Sequence, residues 1–452
     1  MKKNDIVTLE ITDVTAEGNG VGRSEGMVVF VPGTFTGDVI EALVIKCDRR
    51  YCVGRLEKLV APSPDRISSC CGAFPACGGC VFRHVSYESE LKLKRRWVEE
   101  NFRRIGGLDI GVERIVASPA VDSYRNKGIY PLARAADGSI RAGFYARHSH
   151  RIAGLTHCAL HPDFFGDIVD EVAAFLRDEN ISIYDEQTRK GLARSVFIRH
   201  AEATGETVVC VVVNGGGLPG EDRLAGRLRR FPQVTGLVIN VNRTEGNVLL
   251  GEECRVVSGK GYITDELCGL RFDISPTSFY QVNRRGAELL YGVAQEYAAP
   301  DGGLLLDLYC GAGTIGLSMA HRAGRVIGAD IVPSSIENAV YNARRNGIAN
   351  AEFIRADAAE AARELQARGT RPDVVILDPP RAGCDASVIE SVAKMAPERI
   401  VMVSCNSATA ARDAAIFASL GYSPLRLTAV DLFPRTGHCE CVVKLIRAGS
   451  SQ

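Results

Sequence analysis

From Leu304 onward the chain repeats one pattern. Short, wholly apolar runs alternate with longer stretches that are apolar at every third or fourth position. Runs of the first kind read as strands buried on both faces, and stretches of the second kind as helices that cover a sheet. The strands predicted are the run from Leu304 that ends in Asp307, Arg325–Ala329, Ala351–Ile354, Val374–Leu377 and Ile400–Val403. Helices are predicted over Ile315–Arg322 and over Ser335–Asn346, the latter stopping at Gly347. A further helix leads in, ending near Tyr297. Such alternation predicts a parallel, Rossmann-like α/β sheet. The last segment, through Phe433 and His438 to Leu445, reads as a hairpin.

Upstream the period changes. Ile6–Asp13 alternates, Glu17-Gly18-Asn19-Gly20 turns the chain, and Met27–Val31, Ile40–Cys47 and Tyr51–Val60 read as further strands. Short strands with glycine turns suggest a small barrel of the oligonucleotide-binding type. Ser86–Ile105 reads as a charged helix, and 163–270 as an α+β scaffold. The fold class expected is therefore multidomain: a β-barrel over 1–62, a central α+β domain over 63–270 and an α/β domain over 271–452.

Composition narrows the setting. The 452 residues hold 54 basic and 54 acidic side chains, which gives no support to a non-specific nucleic-acid coat. No apolar run reaches membrane-spanning length, and MKKNDIVTLE has no stretch suited to a signal peptide, so a cytoplasmic protein is expected. Fifteen cysteines are many for that compartment, where thiols pack, bind metal or do chemistry. A monomer is expected.

The chemistry begins at the first strand of the α/β segment. Asp307 closes it, and Cys310-Gly311-Ala312-Gly313-Thr314-Ile315-Gly316 turns directly into a helix. Glycines there let the backbone approach a ligand. Asp330, 23 residues after Asp307, can accept from both hydroxyls of a ribose. Asp307 would repel a pyrophosphate but could hold an ammonium, or cap the helix. That favours S-adenosylmethionine (SAM), with its cationic tail and no phosphate, over a dinucleotide. Asp357, past the third strand, can meet an adenine amino group. Pro379 and Pro380 hold Asp378 rigidly at the carboxyl rim of the sheet. Cys405 follows the fifth strand on the same rim.

Cys71, Cys77 and Cys80 bracket a glycine-containing loop, and Cys158 is the best remote fourth thiolate. Such a set suits an iron–sulfur cluster or zinc, with packed thiols or a reducible disulfide as the plain alternative, and with His157 or His161 as substitute ligands. Residues 83–155 carry 14 Lys/Arg against 8 Asp/Glu, an excess of six. Lys92, Lys94, Arg95, Arg96, Arg103 and Arg104 lie on the charged helix. Arg125–Arg151 interleaves bases with Tyr130, Phe144, Tyr145, His148 and His150. Either a solvated face or an RNA-backbone face accounts for the helix. Bases beside aromatics suit single-stranded RNA.

In order, Ser278-Phe279-Tyr280-Gln281-Val282-Asn283, the Asp307–Thr314 turn, Asp378-Pro379-Pro380-Arg381, Val403-Ser404-Cys405-Asn406 and Thr436-Gly437-His438-Cys439-Glu440 resemble the motifs of RNA (uracil-5-)-methyltransferases, specifically the iron–sulfur, 23S ribosomal RNA type. The resemblance spans almost the whole chain. It implies that the barrel is a TRAM domain, that Cys71, Cys77, Cys80 and Cys158 hold a [4Fe–4S] cluster, and that part of 86–118 docks on the catalytic domain. It implies SAM contacts at Gln281, Tyr309, Thr314, Asp330, Asp357 and Asp378. Uracil C5 becomes nucleophilic once a thiolate adds at C6, the part expected of Cys405. Asp378, with Arg381 nearby, is expected to hold the N3–C4 edge. Glu440 is the family-matched base for the C5 proton, and His438 its rival. Phe279 either stacks on a flipped-out uracil or packs in the core. The alternatives are an RNA or DNA cytosine-5 enzyme, a non-enzymatic iron–sulfur RNA binder, and a tRNA uracil-5 enzyme, a group expected to resemble the catalytic half alone.

Overall fold

The computed structural model describes residues 1–147, 149–246 and 248–449; His148, one of the interleaved aromatics, lies outside them. Strands β1 (Ile6–Val14), β2 (Asn19–Ser24), β3 (Met27–Pro32), β4 (Val39–Cys47) and β5 (Tyr51–Ala61) close into a barrel in the order β1-β2-β3-β5-β4. Alternate residues Leu9, Ile11, Val29, Val31, Ile40, Ala42 and Val44 fill it. Strand β2 corrects the sequence reading, which placed a turn across its start. Its glycines are there for want of space. A Cβ on Gly20 would lie 2.0 Å from Thr34 Oγ1, and one on Gly22 2.2 Å from Leu9 Cδ1. A second correction concerns thiols expected to stay reduced: register sets Cys47 opposite Cys52 across β4 and β5, and the two form a disulfide.

Helix α1 (Tyr87–Arg104) starts at Ser86, whose side chain accepts from Ser89 N at 3.3 Å. Glu88 and Glu90 sit in its first turn, Arg103 and Arg104 in its last, each complementing the helix dipole. Most of its cations are spent on neighbours: Lys92 on Glu88, Arg95 on Glu99, Arg96 on Asp13, and Arg103 and Arg104 both on Glu100. Lys94 is wholly buried.

The chain then adds β6 (Arg114–Val116), β7 (Lys127–Arg134), β8 (Ile140–Ala142), α2 (Phe164–Asp178), β9 (Ala193–His200), β10 (Thr207–Val213), α3 (Glu221–Leu228), β11 (Val234–Val241) and β12 (Glu253–Gly259). Except for β6, these strands form one sheet in the order β12-β11-β10-β9-β7-β8. Phe165, Val172 and Phe175 of α2 pack on Val209, Val211 and Ile239 of one face. On the other face, Phe197, Cys210 and Val238 join a core shared with the next elements.

Those are the hairpin β13 (Ile263–Leu267) and β14 (Leu270–Ile274), then α4 (Arg284–Ala298), β15 (Leu304–Leu308), α5 (Thr314–Met319), β16 (Arg325–Asp330), α6 (Pro333–Arg345), β17 (Ala351–Arg355), α7 (Ala358–Ala367), β18 (Val374–Leu377), α8 (Ala386–Met395), β19 (Arg399–Ser404), α9 (Ser407–Ser419), β20 (Tyr422–Val430) and β21 (Glu440–Arg447). The sheet order is β17-β16-β15-β18-β19-β21-β20-β6. Its first five strands are parallel, and β21 runs antiparallel to both β19 and β20. Strand β6 comes from far upstream, yet it is the outer strand here, parallel to β20. Alongside it, Val98 and Phe102 of α1 enter the core with Ala410, Ala411 and Ala414 of α9. Burying one such aromatic contributes about 1.5–3 kcal/mol. Asn101 Nδ2 adds a 2.8 Å hydrogen bond to Ser407 Oγ.

Candidate active site

In a sheet of this order the strand ends diverge beside β15, and ligands bind at the carboxyl rim there. The rim holds a cavity of about 1030 Å³. Gln281, Tyr309, Thr314, Asp330, Asp357, Asp378, Arg381, Cys405, His438 and Glu440 all border it, as does Phe279. One cavity thus gathers every residue assigned from sequence to the cofactor, to catalysis or to the substrate base.

The turn after β15 is built for close approach. Gly311 and Gly313 take φ of +55° and +80°, and Tyr309 takes +67°. A left-handed non-glycine residue costs on the order of 1–3 kcal/mol, and such strain collects at functional sites. Asp330 fixes the turn by accepting from Gly311 N at 3.0 Å and from Val332 N at 2.8 Å. Thr314 Oγ1 meets Tyr291 OH at 3.0 Å. Asp357 caps α7 through Ala359 N at 2.9 Å. Asp307 does not border the cavity. It is buried beneath the turn and accepts from Gly316 N at 2.9 Å, the part expected of a helix cap.

Three residues that sequence did not single out hold the other wall. Asn126 Nδ2 donates to Gln281 O at 2.9 Å. The buried Arg199 donates from Nη1 to Ser275 O and Ser278 O, both at 2.8 Å, and so shapes the segment that presents Phe279. Tyr291 is the Thr314 partner already described. Asn283 is buried and staples α4 to Leu432 O and Ser118 Oγ, away from the cavity. Phe279 is 77% exposed, which rules out core packing.

The reacting end lies where β18, β19 and β21 adjoin. Asn406 caps α9 through Ala408 N at 3.1 Å and donates to Arg381 O at 3.0 Å, tying the Asp378 loop to the Cys405 turn. Burial pushes Asp378 up to about 7. Burial, then the Asp378 charge, pushes Glu440 up to about 8. Burial and the Glu440 charge also raise Cys405, against the pull of Arg381. His438 is lowered, first by burial and then by Arg381, Lys94 and Arg125. The site therefore pairs a thiol with two carboxyl groups that exchange protons near neutral pH, beside a neutral imidazole.

A second cavity, of about 990 Å³, lies against the first, and Arg381, Cys405 and His438 border both. Its other walls come from the barrel at Glu17, from Gly79, from Trp97 of α1 and from Tyr145 and Arg147. A third, small cavity of about 130 Å³ is bordered by Cys71, Cys77, Cys80 and Cys158 together, with Phe74, Phe144, Leu155 and Arg83. Among the described residues no three possible ligands stand close enough to hold a single metal ion. His157 is not at this cavity. His161 is, with Nδ1 engaged by Tyr130 OH at 2.8 Å.

Asp330 and Asp357, at or just past the ends of parallel strands beside the Gly311–Gly313 turn, suit the nucleoside of SAM, the cofactor of the SAM-dependent methyltransferases. The tRNA (uracil-5-)-methyltransferase family matches residues 251–448, and the TRAM domain matches 2–56. A Clostridium tetani protein described as an uncharacterized RNA methyltransferase is 37% identical over 454 residues, covering 100% of this chain and 98% of that one. A Halalkalibacterium halodurans protein with the same description is 37% identical over 448 residues, 98% of each chain. The chain belongs to the SAM-dependent RNA (uracil-5-)-methyltransferases. Among solved structures, the Pyrococcus abyssi tRNA (uracil-54, C5)-methyltransferase bound to S-adenosylhomocysteine superposes with a TM-score of 0.79. It is 28% identical, and the match covers 97% of this chain and 100% of that one. A tRNA enzyme therefore resembles the whole chain, which corrects the expectation that tRNA enzymes resemble the catalytic half alone.

Proposed function

We propose that this enzyme methylates C5 of a uridine in RNA through a covalent bond between Cys405 and uracil C6. The carrying observation is the shared wall: Cys405, Asp378 and Glu440 border the one cavity that also holds the cofactor turn. Bound SAM supplies an electrophilic methyl group on a sulfonium centre. Gln281, Tyr309, Thr314, Asp330, Asp357 and Asp378 would hold the cofactor. Cys405 gives up its proton to the neutral His438 imidazole beside it and adds through sulfur to C6. The electron pair of the C5–C6 bond moves onto C5 and O4. Asp378 in its protonated form, which burial favours, and the Arg381 cation stabilise that oxygen, while Glu440 enters the reaction as its carboxylate. C5 is then nucleophilic, and it would take the methyl group as the bonding pair stays on the cofactor's sulfur, which leaves as a neutral thioether. Glu440 then removes the C5 proton, the C5–C6 double bond re-forms, and the Cys405 sulfur leaves. Phe279 stacks on the uracil during the sequence. The second cavity is the route of the RNA strand, with the barrel as one bank.

Cys71, Cys77, Cys80 and Cys158 border one small cavity together, and they would hold the [4Fe–4S] cluster that the ordered motifs and cysteine set imply. The cluster would brace the 71–80 loop, which also borders the second cavity.

The target proposed is 23S ribosomal RNA, on the resemblance of the ordered motifs and the cysteine set. The Pyrococcus match favours a second reading, tRNA. RNA of both kinds carrying 5-fluorouridine, mixed with enzyme and SAM, decides between them. Fluorine at C5 cannot leave as a proton, so a methylated adduct on Cys405 accumulates on the true target. No adduct on either RNA, with SAM bound, would sink the reading.

A further inference from the structure

Loop 431–439 joins β20 to β21 and carries His438, while Glu440 opens β21 directly opposite Val430. Its backbone carbonyls are taken one after another by donors from outside β20 and β21. Leu432 O accepts from Asn283 Nδ2 at 2.9 Å, and Phe433 O from Lys94 Nζ at 3.1 Å. Pro434 O accepts from Tyr124 OH at 2.9 Å, and Arg435 O from Val81 N at 2.8 Å.

Lys94 is the centre of this arrangement. Nζ, fully buried, also donates to Glu90 Oε1 at 2.7 Å and to Asp431 Oδ1 at 2.8 Å. All three ammonium hydrogens are spent. Glu90 Oε1 accepts in turn from Arg435 N at 2.7 Å, and the Arg435 guanidinium donates to Val85 O at 2.7 Å. Arg435 itself sits at φ +68°, a conformation this framework holds against its intrinsic cost. Two buried acids and two buried bases therefore balance around one loop. A buried ion pair costs more to desolvate than a hydrophobic contact, and fixing one geometry is its best-attested use.

We propose that Lys94 is a positioning residue for the reaction: it fixes loop 431–439 so that Glu440 meets the C5 proton once the methyl group has arrived. This deepens the reading above and rests on it. Lys94 touches neither substrate nor cofactor and acts through Asp431 and the Phe433 carbonyl. Its removal therefore slows the last step, release of Cys405, and leaves SAM binding alone.

Single-turnover reactions on ordinary uridine RNA test this, following the covalent Cys405–RNA species on denaturing gels. K94M is the direct variant. K94M/E90Q removes one base and one acid together and guards against misfolding from an unbalanced charge. Either is expected to bind SAM within about two-fold of wild type and to resolve the adduct at least about tenfold more slowly, so that the adduct builds up. In an E440Q background, K94M should add less than about two-fold, because both act on one step. Adduct resolution at the wild-type rate in the folded double variant overturns the proposal, as does an undiminished effect in E440Q. Absence of 5-methyluridine from the wild-type reaction overturns the uridine reading itself, and this proposal with it.

Discussion

Asp378 shows how much one buried carboxyl can govern. Its folded value lies above the ordinary carboxylate range because burial disfavours the anion. The stability linked to such a group is fully present below about pH 4 and is lost as pH climbs through about 7. Asp378→Asn removes that loss while keeping the shape. The melting temperature of ligand-free D378N should therefore gain on wild type by a few degrees between pH 5 and pH 8. An unchanged difference across that range would refute the assignment. Methylation should fall about a hundredfold or more in the same variant, since an oxyanion partner typically contributes that much. Asp378 and Cys405 were legible in sequence because each follows an apolar run at a strand end. Lys94 was not: among Lys92, Arg95 and Arg96 on a helix it has the look of one more solvated cation. Its partners Asp431 and Phe433 are more than three hundred residues away, and no local pattern announces them.

At the scale of elements, the parallel strands were legible because apolar runs bounded by acids leave few other readings. Strand β2 was not, since glycine weighs against a strand until the crowding at Thr34 and Leu9 is seen. Strand β6 spans only Arg114–Val116, too short to show a period. The 71–80 loop has cysteine spacing but no periodicity, so the convergence of its thiols with Cys158 was legible and its shape was not. That loop carries its own test. Protein purified without oxygen should contain iron and acid-labile sulfide in equal amounts, and C77S/C80S should lose both. Zinc in place of iron, with no sulfide, would refute the cluster. Because Val81 N holds Arg435 O, the same variant should also slow adduct resolution.

For the whole molecule, the catalytic sheet is not confined to the segment the family match covers. Its outer strand, one covering helix and most anchors of loop 431–439 come from residues 81–124. The barrel reaches the same place: Trp97 Nε1 donates to Val14 O at 3.2 Å, and a Cβ on Gly437 would lie 1.6 Å from Ala16 O. Gly437→Val should therefore leave SAM affinity within about two-fold while cutting RNA methylation at least about tenfold. Equal losses in both would refute this separation of the two sides.

Arg381, Cys405 and His438 border two cavities, and only one of them holds the cofactor turn. If the RNA strand lies along the second cavity and only its target base enters the first, the strand need not leave for the cofactor to be exchanged. Spent cofactor can then be swapped while one RNA molecule stays engaged. A transcript with two target uridines close together would emerge doubly modified from a single encounter, rather than collecting its marks in separate visits.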